Sequence, residues 1–110
     1  MITTHVLDTA RGRPAAGVPV VLERSDEDEW WELGRGRTDD DGRLRTLLPD
    51  GAPLKPGRYR LTFDTGSYFR DFGQAPFYPE VEVVFIVAAN EPHHVPLLLS
   101  PFGYSTYRGS

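Results

Sequence analysis

Along most of this chain apolar residues alternate with polar ones, with the two-residue period of a β-strand and not the 3.6-residue period of a helix. Tyr59, Leu61 and Phe63 interleave with Arg58, Arg60 and Thr62, which predicts a strand with one buried face. Val18, Val20 and Leu22, set against Pro19, Val21 and Glu23, predict another. Further strands are expected at 3–8, 30–37, 80–87, 94–99 and 104–108. Turn-rich pieces separate them: 9–17, an acidic loop at 25–29, and a three-proline loop at 49–57. The tight turn Asp39-Asp40-Asp41-Gly42 leads into 43–48, where the pattern predicts a hairpin. Only residues 65–73 depart from the period of two. A Thr or Ser cap, aromatics at helical spacing and a closing glycine predict one short helix there. Seven or eight short strands at this spacing predict an all-β protein, a two-sheet antiparallel sandwich formed by residues 1–110 as one domain.

Composition narrows the function classes. Sixteen acidic against twelve basic residues leave a net charge of −4, so no basic excess exists to neutralise phosphates and nucleic acid is not an expected partner. The absence of cysteine removes disulfides, thiol catalysis and cysteine-based metal sites together. No run approaches the ~20 apolar residues of a membrane span, and Met1 to His5 lacks a basic segment followed by an apolar one. The expectation is a soluble cytoplasmic protein with no membrane partner.

Candidate chemistry rests first on His5, His93 and His94. Alternation puts His5 on the strand face of Leu7, and His94 with Pro96 and Leu98, while His93 faces the other way with Val95. Adjacent histidines on opposite faces do not chelate one ion, and no zinc-type spacing is present, so no metal is expected. The Asp39–Gly42 run reads as a turn, since it lacks the alternating oxygen ligands of a calcium loop. Arg43 and Arg45 share a strand face, either as solvated surface or as an anion-reading pair, and spacing leaves both open. No Gly-x-Ser-x-Gly elbow signals a serine nucleophile. Trp30 and Trp31 point to opposite faces if extended, so at most one belongs to the core. Tyr104-Ser-Thr-Tyr107 has the composition of a strand, which predicts a tail built into the fold.

Several segments carry a resemblance running nearly end to end: Thr4-His5-Val-Leu-Asp8-Thr9 with Gly12-Arg-Pro14-Ala15, then Thr38-Asp39-Asp-Asp41-Gly42-Arg43 and Gly57-Arg-Tyr59-Arg60. Phe63-Asp-Thr65-Gly66-Ser-Tyr68-Phe69, Phe77-Tyr-Pro79-Glu80 and the whole stretch from His94 to Ser110 continue it. Together they resemble the 5-hydroxyisourate hydrolases, the transthyretin-related enzymes of urate breakdown. The most specific element is Tyr107-Arg108-Gly109-Ser110, which marks the enzymes and is absent from the hormone carrier transthyretin.

The resemblance implies a transthyretin-like sandwich of two four-stranded sheets with one short helix. It implies a homotetramer, a dimer of dimers, with active sites in the channel between dimers. The implied activity is hydrolysis of 5-hydroxyisourate to 2-oxo-4-hydroxy-4-carboxy-5-ureidoimidazoline, with no metal and no cofactor. Carried over position by position, the family's site histidines fall on His5 and His94, its arginine on Arg43, and its terminal motif on Tyr107 to Ser110. His5 is then expected as general base toward water, with His94 orienting or sharing the proton. Arg43 grips substrate oxygens and stabilises the oxyanion. Tyr107 and Arg108 are expected to bind substrate, and Ser110 to hold the neighbouring imidazole. One departure is visible: the family commonly reads His-aromatic-His before Val-Pro-Leu-Leu-Leu-Ser, whereas this chain has Pro92-His93-His94. His93 stands in the aromatic's place, and His94 stays in register. The alternative is a non-catalytic transthyretin-like carrier of a small aromatic ligand. A blander reading is a β-sandwich interaction module.

Overall fold

The computed structural model describes residues 1–110. In chain order the elements are β1 (Ile2–Asp8), β2 (Arg13–Pro14), β3 (Pro19–Asp26), β4 (Glu29–Arg37), β5 (Arg43–Leu44), β6 (Gly57–Phe63), α1 (Thr65–Arg70), β7 (Val81–Val87), β8 (His93–Ser100) and β9 (Gly103–Thr106). Alternation in the sequence becomes alternation in burial. β1 buries Ile2, Thr4, Val6 and Asp8 while Thr3, His5 and Leu7 stay on the outer face. In β6, Tyr59, Leu61 and Phe63 turn inward.

Two sheets form the sandwich. One has the order β2-β1-β8-β9 with β5 also paired to β1, and the other has the order β4-β3-β6-β7. Val6, Leu97 and Leu99 of the first meet Val20, Leu22, Leu61 and Phe63 of the second in one core, which Tyr68 and Phe69 of α1 complete. Each such fully buried side chain contributes about 1.5–3 kcal/mol of transfer free energy.

The expected sandwich is present, with a five-stranded sheet when β5 is counted and one parallel pair, β1 with β8. The acidic loop at 25–29 shrinks to a two-residue turn. Glu27 and Asp28 both have positive φ, 51° and 65°, the mirror-image geometry that suits the twist of the β3–β4 hairpin. The predicted hairpin at Asp39–Gly42 does not form. β5 is only two residues long and pairs with β1, so this turn carries the chain from one sheet to the other. Thr38 ends β4: its buried hydroxyl donates to Ala15 O at 2.7 Å and accepts from Val18 N at 2.9 Å. Val6 N then donates to Gly42 O at 2.7 Å, docking the turn on β1.

The helix is capped by Asp64, where a Thr or Ser cap is expected from the sequence. The Asp64 carboxylate accepts from Ser67 N at 3.0 Å, and Thr65 instead donates its hydroxyl to Tyr78 O at 2.7 Å. Trp30 lies 4.3 Å from the Arg60 guanidinium and Trp31 is exposed, so neither enters the core.

Candidate active site

Main-chain pairing assembles the site on the outer face of the first sheet. The parallel β1–β8 register puts Thr3 opposite His94 and His5 opposite Pro96, and the antiparallel β1–β5 register puts His5 opposite Arg43. Gly42 makes the second pairing possible. Its φ is +74°, and a Cβ there would stand 2.4 Å from Val6 O, so only glycine lets the turn press this close to β1. Asp39 then sets where β5 begins, accepting from Arg43 N and Asp41 N, both at 2.9 Å. The bond from Arg43 N is the main reason its carboxyl is held below the ordinary range; burial opposes this, while Asp41 N and the charges of Arg45 and Arg43 add to it.

Beyond β9 the tail returns to β8. Gly109 N donates to His94 O at 2.8 Å, and the two residues form an isolated bridge. Ser110 thereby reaches a groove of about 210 Å³ that it shares with Thr3, Arg43, Arg45 and His94. Pro92 is the one apolar side chain in its lining. Partial burial lowers the His94 pKa, and the nearby charges of Arg43, His5 and Arg45 lower it further, against a smaller upward effect of hydrogen bonding to the Thr3 backbone. Its imidazole is therefore neutral at neutral pH and able to accept a proton. A neutral imidazole beside a fixed guanidinium can activate water and stabilise an oxyanion.

Of the residues expected at the site, Arg43, His94 and Ser110 share the groove, and His5 stands beside it on the same face, opposite Arg43. Tyr107 and Arg108 border a second groove, of about 230 Å³, which His94 also lines and which runs against Val84 and Ile86 of β7. Arg108 Nη2 is held there by Glu91 at 3.0 Å. His93 is buried on the inner face, with Nδ1 2.7 Å from Glu91 O. Arg45, left open between surface and anion reader, lies in the first groove. Thr3 escaped the sequence reading, although alternation already placed it on the face of His5. Its Oγ1 lies 2.8 Å from His94 Nδ1.

Comparison with known proteins agrees with this architecture. A profile described as Transthyretin, HIUase/Transthyretin family, matches residues 2–109. A 5-hydroxyisourate hydrolase of Mus musculus is 51% identical over 112 residues, spanning 99% of this chain and 94% of the mouse protein. The structure of Klebsiella pneumoniae 5-hydroxyisourate hydrolase aligns with a TM-score of 0.86 at 38% identity, over 99% of this chain and 97% of that one. Transthyretin from Sparus aurata aligns with a TM-score of 0.90 at 32% identity, over 98% and 95% of the two chains. Proteins of both names thus share the sandwich, and the side chains of the groove, not the fold, have to separate their activities. Matched from end to end in sequence and in strand arrangement, the chain belongs to the HIUase/Transthyretin family.

Proposed function

We propose that this protein is a 5-hydroxyisourate hydrolase, opening a ring amide of its substrate to give 2-oxo-4-hydroxy-4-carboxy-5-ureidoimidazoline. The observation that carries the reading is the meeting of His94, Arg43 and Ser110 in one polar groove beside His5. The histidine pair takes a proton from water as its oxygen attacks the ring carbonyl. Arg43 presents its planar fork to the carbonyl oxygen as that atom gains charge. Collapse of the tetrahedral species breaks the ring C–N bond, the nitrogen recovers the proton, and a carboxylate remains on the product. Ser110 closes the groove beside His94. Arg108, paired with Glu91, serves to fix the tail.

The proposal includes assembly as a homotetramer, a dimer of dimers, that encloses the groove between subunits. β7 supports it. This edge strand leaves Val84 44% and Ile86 67% exposed, and an open apolar edge invites pairing with another copy. A carrier of an apolar aromatic ligand has less support, because two arginines and a histidine line this groove and Pro92 is its one apolar side chain.

The test is to generate 5-hydroxyisourate in situ from urate with urate oxidase and to follow the decay of its ultraviolet band. Addition of the protein is expected to accelerate decay, and the His5→Ala protein to do so far less. Decay at the spontaneous rate with the unaltered protein rejects the reading.

A further inference from the structure

We infer that Thr3 is a positioning residue: it holds the His94 imidazole with its proton on Nδ1 and its lone pair on Nε2, turned toward the groove. A neutral imidazole carries one proton on either of two nitrogens, and the partner of one nitrogen decides the chemistry of the other.

Three contacts surround the ring. On one side Nδ1 lies 2.8 Å from Thr3 Oγ1. On the other, Gly109 packs against the carbon edge so closely that a Cβ there would lie 2.5 Å from His94 Cδ2, 3.2 Å from Cγ and 3.3 Å from Pro96 Cγ. The main chain beneath is pinned by the Gly109 N to His94 O bond at 2.8 Å. With both flanks held, Nε2 and Cε1 form the edge left for a ligand. Turning the ring over would set Cδ2 against the Thr3 hydroxyl and forfeit its hydrogen bond.

Thr3 is suited to this task. It sits opposite His94 in the parallel ladder, so backbone pairing sets the separation, and its β-branched side chain has few χ1 alternatives. A hydroxyl can donate or accept; it is assigned the accepting role because Nε2 is the ring nitrogen left open once Thr3 and Gly109 hold the other edges, and only an unprotonated Nε2 can take a proton there. Ser110 shares the groove with His94, and of the charged and titratable groups near the ring, His5 from β1, Arg43 from β5 and Arg45 beyond it disfavour a second proton. Their effect leaves Nε2 free to take one from water. The assignment makes His94 Nε2 the first acceptor of the histidine pair, with His5 beside it. Its kinetic consequence rests on the hydrolase reading, while its spectroscopic consequence does not.

The test uses the full-length protein labelled with 15N-histidine. Long-range 1H–15N correlations recorded well above the His94 pKa are expected to show a pyrrole-like Nδ1 and a pyridine-like Nε2. Thr3→Val keeps the branched shape and removes the hydroxyl. It is expected to mix the tautomers and lower kcat roughly three- to tenfold with KM unchanged, the equivalent of one net hydrogen bond, and Thr3→Ser is expected to restore both. A proton on Nε2 in the unaltered protein overturns the inference and requires no variant that folds. So does a Thr3→Val protein that keeps both tautomer and kcat. An unaltered protein that shows the Nδ1–H tautomer yet leaves 5-hydroxyisourate untouched would sustain the positioning role and reject the hydrolase reading instead.

Discussion

His5 and Arg43 are register partners across the short β1–β5 ladder, so main-chain pairing sets an imidazole-bearing and a guanidinium-bearing residue side by side on neighbouring strands. Both are only half-buried and stand outside the core. Chemistry and stability are therefore separable at these two positions.

Replacing either His5 or Arg43 by alanine is expected to lower kcat/KM by about 10²–10⁴-fold, the usual range for a lost base or oxyanion donor. Melting temperature and oligomeric state should stay close to the parent. Arg43→Lys keeps the charge without the planar fork, and should recover little of the lost activity. Steady-state kinetics beside a melting curve checks all three, and near-parental turnover in either alanine variant would remove that residue from the mechanism.

Because Ser110 lies in the groove and Gly109 bridges to His94, residues appended after Ser110 crowd the groove. A tag fused at that end should depress activity, whereas the same tag before Met1 should do less harm. Equal activity of the two fusions would place the tail outside the site.

The lowered His94 pKa has two consequences with one sign. Neutral imidazole is the working form, so the acid limb of kcat/KM should have its midpoint below the ordinary imidazole value of about 6.5. In the window just under that value the unfolded chain binds a proton that folded His94 refuses. Folding stability should therefore decline as pH falls through the window and level off once the folded imidazole is also protonated. Urea unfolding of the parent and of His94→Gln, followed across the window, checks the linkage. An equal decline in both proteins would assign it to other groups.

Asp8 and Tyr68 form the main polar link inside the sandwich: the Tyr68 hydroxyl donates to Asp8 Oδ2 at 2.7 Å, and the carboxylate is almost fully buried. Tyr68→Phe leaves that oxygen only the Arg11 guanidinium, 3.8 Å away, and should cost about 1–3 kcal/mol in unfolding experiments. Asp8 is on the inner face, so kcat should change little. Parental stability would show that the Arg11 pairing alone satisfies the carboxylate.

On β7, Ile86→Glu places a charge on the exposed edge expected to meet another copy. Size-exclusion chromatography should show a smaller species, and activity should fall with it if the enclosed groove is the working one. A variant of parental size would move the interface elsewhere.

How much of this was legible in the chain differs from element to element. The alternation at 58–63 foretold β6 and its buried face, and the aromatics at 65–73 foretold the helix. The turn at Asp39–Gly42 was legible as a turn, but its destination was not: the same local hydrogen bonds serve a chain that folds back on its own sheet or one that crosses to the other. The tight turn at Glu27–Asp28 was hidden because two acidic residues without glycine adopt positive φ there. At the site, His5, Arg43, His94 and Ser110 could be carried over from the resemblance, while Thr3 carries no signal until its partner is known. Tyr107 and Arg108 border a second groove of the subunit, which His94 joins to the first.

The amino-acid sequence by itself determined which residues turn inward and which outward, because that alternation is a property of each extended backbone segment taken alone. It also determined the stock of imidazoles, guanidinium groups and hydroxyls available for chemistry. Only the tertiary structure decided which outward faces meet. The partnership of Thr3 with His94 and of His5 with Arg43 depends on the register of strands distant in the chain. That register is settled collectively, by filling one core and satisfying buried backbone groups at the same time, and no local stretch contains enough of either term to choose it.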